Sequence, residues 1–231
     1  MRGDKQWGVT VLQAVQDMDA GEVWAWQPFV VRPNATKSSL YRREVTDAAV
    51  QAVLRALQRF VPGSLQPDPN QPDHAKAVGI WNPLMPQATR HIDWTTDNTA
   101  IVLQKIAAAD GSPGVLDALF EQPCRLYDAH PASLALVAQF ASAAPGTLLA
   151  RRGPALLRRT VDGAVWIGHV RLEALPNQPP ATDLMLKLPA VNVFVAQAAP
   201  LLEASVGLMH DDTEWDELRY REFGPESARV G

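Results

Sequence analysis

The sequence predicts a mixed chain, α/β in its first part and α+β in its second. Two strands and a long helix lead through an extended linker to a small antiparallel β-barrel. Three observations carry this. Two apolar, β-rich runs flank a tight turn ahead of a helical pattern, a proline-rich stretch follows without period, and the rest alternates short apolar runs with turn residues.

The first run, Trp7 to Val15, is rich in β-branched residues. Asp17-Met18-Asp19-Ala20-Gly21 then supplies turn chemistry, because Asp and Gly tolerate positive φ or bond their own backbone. A second apolar run, Glu22 to Val31, contains Trp24, Trp26 and Phe29, so the two runs are expected to pair antiparallel. Thr36-Lys37-Ser38-Ser39-Leu40 offers N-cap residues to a helix. Its expected apolar face is Val45, Ala49, Ala52, Val53, Ala56, Leu57 and Phe60, and Pro62-Gly63 should end it.

Residues 63–90 carry Pro67, Pro69, Pro72, Pro83 and Pro86 among polar residues, which predicts an extended linker. Beyond it, Thr95, Thr96 or Asp97 should cap a helix through Ile101, Val102, Leu103 and Ile106 to Asp110-Gly111. Short strands are expected at Cys124–Tyr127, Gly146–Ala150, Ala155–Thr160 and Val165–Val170, with Asp162-Gly163 turning a hairpin. The expected organisation is therefore residues 1–62, the linker 63–90, a barrel domain 91–202 and a polar tail 203–231.

Bulk properties narrow the function classes. The 231 residues, 47% hydrophobic and 20% charged, suit a globular fold that buries roughly 70–75% of its extended surface. A net charge of -4 argues against a chain built to neutralise phosphates. The single cysteine, Cys124, cannot form an internal disulfide, and no apolar run approaches the roughly 20 residues of a membrane span. A cytoplasmic protein is the expectation.

The order of several motifs resembles the methionyl-tRNA formyltransferase family. Gly8-Val9-Thr10, Met18-Asp19-Ala20-Gly21 and Leu40-Tyr41 come first. Ile92-Asp93-Trp94, Gln122-Pro123-Cys124-Arg125-Leu126-Tyr127 and Ala144-Pro145-Gly146-Thr147 follow, in the manner of that family's OB-like C-terminal domain. Other segments are similar to hydrogenase maturation proteins of the HypX/HoxX type: Ala35 to Arg42, Leu84 to Ala88, Ala109 to Asp117, and Leu186-Lys187-Leu188-Pro189-Ala190.

The resemblance implies formyl transfer from 10-formyltetrahydrofolate, with coenzyme A as a possible acceptor and a following crotonase-like module, into which the tail around Trp215 leads. It implies an Asn-His-Asp catalytic set in which Asn and His stabilise the developing oxyanion while Asp fixes the histidine charge. Asp19 matches the Asp, and Val15, Gln16, Asp17 and Met18 match the folate loop. The Asn and a His-Pro pair are implied upstream of the Gly8 strand, where only six residues precede Trp7. The expectation is thus a chain lacking the start of its module, inactive alone and partnered by an N-terminal formyltransferase half.

Residue patterns offer competing readings. Asp19 could be a turn residue only, and the barrel could be a non-catalytic binding or scaffold module, or part of a tRNA-formylating enzyme. His130-Pro131 is expected in a loop. Arg151, Arg152, Arg158 and Arg159 read as a solvated face, Cys124 as core, and tryptophans 24, 26, 94 and 166 as core. Neither a Cys-x-x-Cys pair nor a His-x-x-x-His helix occurs, so no metal site is expected.

Overall fold

The computed structural model describes residues 3–17, 19–58, 83–173 and 186–204. Met18, most of the linker and nearly all of the tail, including His74, His210 and Trp215, lie outside them. The chain divides into two compact units, residues 1–86 with 107–111, and residues 87–106 with 112–231.

In the first unit, strands β1 (Gln6–Leu12) and β2 (Val23–Val30) pair antiparallel from Gln6↔Val30 to Leu12↔Val23. Thr36 then caps α1 (Lys37–Leu40) with a full capping box, its hydroxyl accepting from the Ser39 amide while the Ser39 hydroxyl accepts from the Thr36 amide. A π-helical turn, Tyr41–Val45, leads into α2 (Thr46–Leu57). The Thr46 hydroxyl donates to the Tyr41 carbonyl, satisfying one acceptor left by the widened turn.

This helix differs from its expected pattern. The side chains it buries are Ala48, Ala52 and Ala56, and Ala52 and Ala56 pack with Trp24, Ala25 and Val11 of the hairpin. Val53 and Leu57, expected inside, are exposed. The π turn adds a residue per turn and rotates the helix after Leu40, which shifts the buried stripe. Small alanines let the helix axis approach the strands closely.

The second unit opens with α3 (Gln87–Arg90), a helical turn where extended linker was expected. Next comes α4 (Thr99–Ala109), capped not by Thr95, Thr96 or Asp97 but by Asn98, whose side-chain oxygen accepts from the Ile101 amide. Asp97 instead accepts from the Asp93 amide and pairs with Lys105, which ties the preceding turn to the helix. The hairpin residue Asp162 accepts from the Thr99 amide and hydroxyl at 2.8 Å each, a second cap supplied from far along the chain.

A seven-stranded sheet then forms from β3 (Val115–Leu119), β4 (Gln122–Pro131), β5 (Leu148–Arg152), β6 (Ala155–Arg159), β7 (Ala164–Leu172), β8 (Leu188–Pro189) and β9 (Leu202–Glu203). Its order is β3-β4-β7-β6-β5-β9, with β8 also on β7. All pairs are antiparallel except β5 with β9. The nine-residue β7 serves three partners: β4 runs along one edge, while β6 and β8 share the other. A short helix, α5 (Leu134–Gln139), capped by the Ser133 hydroxyl, helps cover a core of Leu136, Leu149, Leu157 and Trp166. Two single-turn helices, α6 (Ala190–Val193) and α7 (Val195–Ala198), bury Ala190, Phe194 and Ala198.

Candidate functional site

The site expected from the sequence is the loop joining β1 to β2. Its base is fixed. The Gln13 amide donates to the Glu22 carbonyl at 2.8 Å, and the Trp24 indole N–H donates to Gln13 Oε1 at 2.9 Å. Gly21 is required there, because a Cβ would sit 1.8 Å from the Gln13 carbonyl oxygen. Above this base, Val15, Gln16, Asp17 and Asp19 are all exposed, and Met18 lies outside the described residues. Asp19 adopts φ 58, a left-handed conformation that Asp and Asn tolerate better than other side chains. The loop is therefore a closed-based projection carrying two carboxylates, one of them held on a backbone that few residues accept.

Among the described residues, another titratable cluster lies in the sheet. Asp128, also left-handed at φ 58, bridges two imidazoles. Its Oδ1 lies 2.9 Å from His130 Nε2 and its Oδ2 3.0 Å from His169 Nδ1. A carboxylate can only accept, so each of those ring nitrogens carries a proton. Burial pushes the His130 imidazole down to about 4, so it is neutral at pH 7. His130 is thus a strand residue and not the expected loop residue: β4 stays in register with β7 through His130↔Trp166 and Pro131↔Val165. The sequence hid this cluster because nothing local signals the Asp128 backbone, and the two histidines are 39 positions apart.

The arginines depart from expectation too. Arg158 is not on a solvated face. It donates to the Gly146 and Ala118 carbonyls and to Asp117, and it stacks over the Trp94 ring. Arg159 donates to the Gly163 carbonyl of its own hairpin. Arg151 pairs with Glu203 across β5 and β9. These cations brace the sheet. Cys124 is fully buried, and desolvation, with the Asp117 charge second, pushes its thiol up to about 12, so it is no nucleophile. Trp24, Trp94 and Trp166 are buried, and the Trp26 indole lies against Gly8, where a Cβ would come within 2.2 Å of it. Among the described residues no group of three or more His, Cys, Asp and Glu could hold a metal ion, and no helix is long and apolar enough to cross a membrane.

Comparison with known proteins adds a second line of evidence. Residues 84–182 match the formyl transferase C-terminal domain. Over 224 residues, 97% of the chain, it is 43% identical to the hydrogenase maturation factor HoxX of Bradyrhizobium diazoefficiens, and spans 36% of that protein. It is 26% identical over 153 residues to a methionyl-tRNA formyltransferase of Lactobacillus acidophilus, covering 66% of this chain and 45% of that one. Among solved structures, HypX from Aquifex aeolicus in complex with tetrahydrofolic acid superposes with a TM-score of 0.69 at 34% identity, covering 88% of this chain and 32% of HypX. A HypX variant, A392F-I419F, superposes with a TM-score of 0.72 at 36% identity, over 88% and 32% of the two chains. The chain thus spans about a third of the length of the HoxX and HypX proteins it matches.

Proposed function

Because the chain belongs to the formyltransferase family, beside the hydrogenase maturation factors HoxX and HypX, we propose that it serves folate-dependent formyl transfer in hydrogenase maturation. The observation that carries this reading is Asp19, a carboxylate on a left-handed turn, in a chain of which 97% aligns with about a third of HoxX.

The donor is 10-formyltetrahydrofolate and the acceptor is coenzyme A. In the reaction the bond between N10 and the formyl carbon breaks, a bond from that carbon to the acceptor sulfur forms, and the thiol proton ends on N10. Asp19 holds a partner histidine in its charged form, since opposite charges within about 4–6 Å favour both ionised states. That histidine and the asparagine beside it would be supplied by another part of a HoxX-type protein, of which the matched stretch is 36%. Val15, Gln16, Asp17 and Met18 flank the folate, and the Gln13–Trp24 bond together with Gly21 keeps the loop from collapsing onto β1. The sheet unit corresponds to the family's OB-like barrel and acts as a brace. A crotonase-like module would take over the formyl thioester, and the reaction belongs in the cytoplasm. Transfer to tRNA is the weaker reading, because identity is 26% there against 43% to HoxX, and the chain is acidic overall.

The test uses a chimera in which this chain replaces the matched stretch of B. diazoefficiens HoxX. Supplied with 10-formyltetrahydrofolate, it should release tetrahydrofolate only when coenzyme A is present, with formyl-coenzyme A detected by mass spectrometry during turnover. Formylation of methionyl-tRNA with no formyl thioester would overturn the acceptor, and no turnover with either would overturn the reaction.

A further inference from the structure

Helix α2 is apolar on two sides, and among the described residues only one of them is covered. Successive residues turn by about 100°, so Ala48, Ala52 and Ala56 form one stripe, and this stripe is buried. Asp47, Gln51 and Arg55 form a polar stripe, from which Arg55 reaches the Trp26 carbonyl. Opposite the alanines stand Val50, Val53, Leu54 and Leu57, 52%, 46%, 51% and 56% exposed. A helix of a solvated layer keeps polar residues on its outer side; one that is apolar on both sides lies between two layers.

We propose that this outer face of α2 is a docking surface for another segment of the same polypeptide in a HoxX-type protein. The size of the patch argues for a tethered occupant. Four half-exposed aliphatic side chains offer on the order of a few hundred Å², against about 800 Å² per partner in a standard stable interface. That is too little for a second copy binding from solution, but enough for a segment whose tether supplies an effective concentration in the millimolar range. The relatives have such segments: the chain accounts for 36% of HoxX and 32% of HypX. The occupant presents aliphatic or aromatic side chains with no charge at the contact centre, since none of the four residues can pair one. The docking rests on membership of the HoxX branch but not on the formyl-transfer chemistry.

The test is alkylation of single cysteines at Val53→Cys and Leu57→Cys, with Gln51→Cys on the polar stripe as control. Each is placed in the 231-residue chain and in the HoxX chimera and followed by peptide mass spectrometry. Cys124, buried, stays silent. Both outer-face cysteines should react at least tenfold more slowly in the chimera, and the Gln51→Cys rates should agree. Equal rates at positions 53 and 57 would overturn the proposal. So would slow reaction in the short chain, whether it depends on protein concentration, which would make the occupant a second copy, or does not. Hydrogen exchange across α2, compared between the 231-residue chain and the chimera, gives a second reading and should show added protection in the chimera. A chimera that shields both positions yet transfers no formyl group would sink the proposed reaction and leave the docking intact.

Discussion

The Arg158 guanidinium lies 4.0 Å above the Trp94 ring, and both residues donate to one carboxylate. The Trp94 indole reaches Asp117 Oδ2 at 2.7 Å, and Arg158 reaches Oδ1 at 3.1 Å. Three segments that the sequence presents as separate motifs, around Ile92, Asp117 and Gly146, are thereby one structural clamp.

Breaking this clamp should be costly because Arg158 and Asp117 are largely buried, with side chains 14% and 11% exposed. Arg158→Ala should lower stability by about 3 kcal/mol, since it leaves Asp117 without its cation. Arg158→Lys should recover less than half, because an ammonium cannot stack on the indole while holding two carbonyls and a carboxylate. Urea unfolding of the sheet unit reads both. A loss below about 1 kcal/mol for the alanine variant would show that the clamp is ornamental.

The buried Cys124 gives a pH signature. Its thiol is pushed up to about 12 in the fold, against an ordinary value near 9. Above pH 9 the unfolded chain loses a proton that the folded chain keeps, so stability should fall between pH 9 and 12. Cys124→Ala should flatten that part of the profile. Below pH 9 the native thiol should ignore thiol reagents and react only on unfolding.

His130 predicts the opposite limb. Burial lowers its imidazole to about 4, although Asp128, 2.9 Å away, pulls the other way. Between pH 6.5 and 4 the unfolded chain therefore binds a proton that the folded chain refuses, and stability should fall as the pH drops through that window. The effect is discounted for a side chain 36% exposed, leaving about 1 kcal/mol. His130→Gln should remove it, and a proton NMR titration of His130 that gives an ordinary value near 6.5 would contradict it.

The hairpin and helix cap of the first unit were legible from sequence, because β-branched runs, the Asp-x-Gly turn and the Thr36 cap are all local signals, although β1 ends at Leu12, three residues short of the expected Val15. The α2 stripe was not, since a π turn at Tyr41–Val45 shifts the phase and only tertiary packing selects Ala48 over Val53. In the sheet, β6, β7 and their Asp162-Gly163 hairpin were readable, whereas the two-residue β8 and β9 exist only through pairing with distant strands. Arg158 misled for the same reason: Trp94 and Asp117 are remote in sequence, and a basic pair at a strand end reads as solvated. At the candidate site the loop and Asp19 could be named. Its left-handed backbone and the Gln13–Trp24 brace could not.

That brace makes Gly21 a structural requirement. Gly21→Ala drives a Cβ into the Gln13 carbonyl, so the loop base must open. We expect about 2 kcal/mol or more of destabilisation in the first unit. Gly153→Ala makes a useful contrast: its Cβ would meet nothing within 4 Å, and its only cost would be the strain of φ 49. Equal small effects for the two would mean that the loop base is loose.

In the proposed reaction Asp19 acts through its charge, and comparing Asp19→Asn with Asp17→Asn in the HoxX chimera tests this. Asn tolerates the φ of 58 and nearly matches the volume of Asp, so the loop should keep its shape. Turnover and the tetrahydrofolate dissociation constant are measured for both variants. Asp19→Asn should lower turnover at least 10²-fold with folate affinity within about threefold, and Asp17→Asn, at a residue that flanks the folate, should leave turnover at saturating folate within about threefold. Equal losses at the two positions, or a loss at Asp19 confined to stability, would contradict the account and reduce Asp19 to a turn residue.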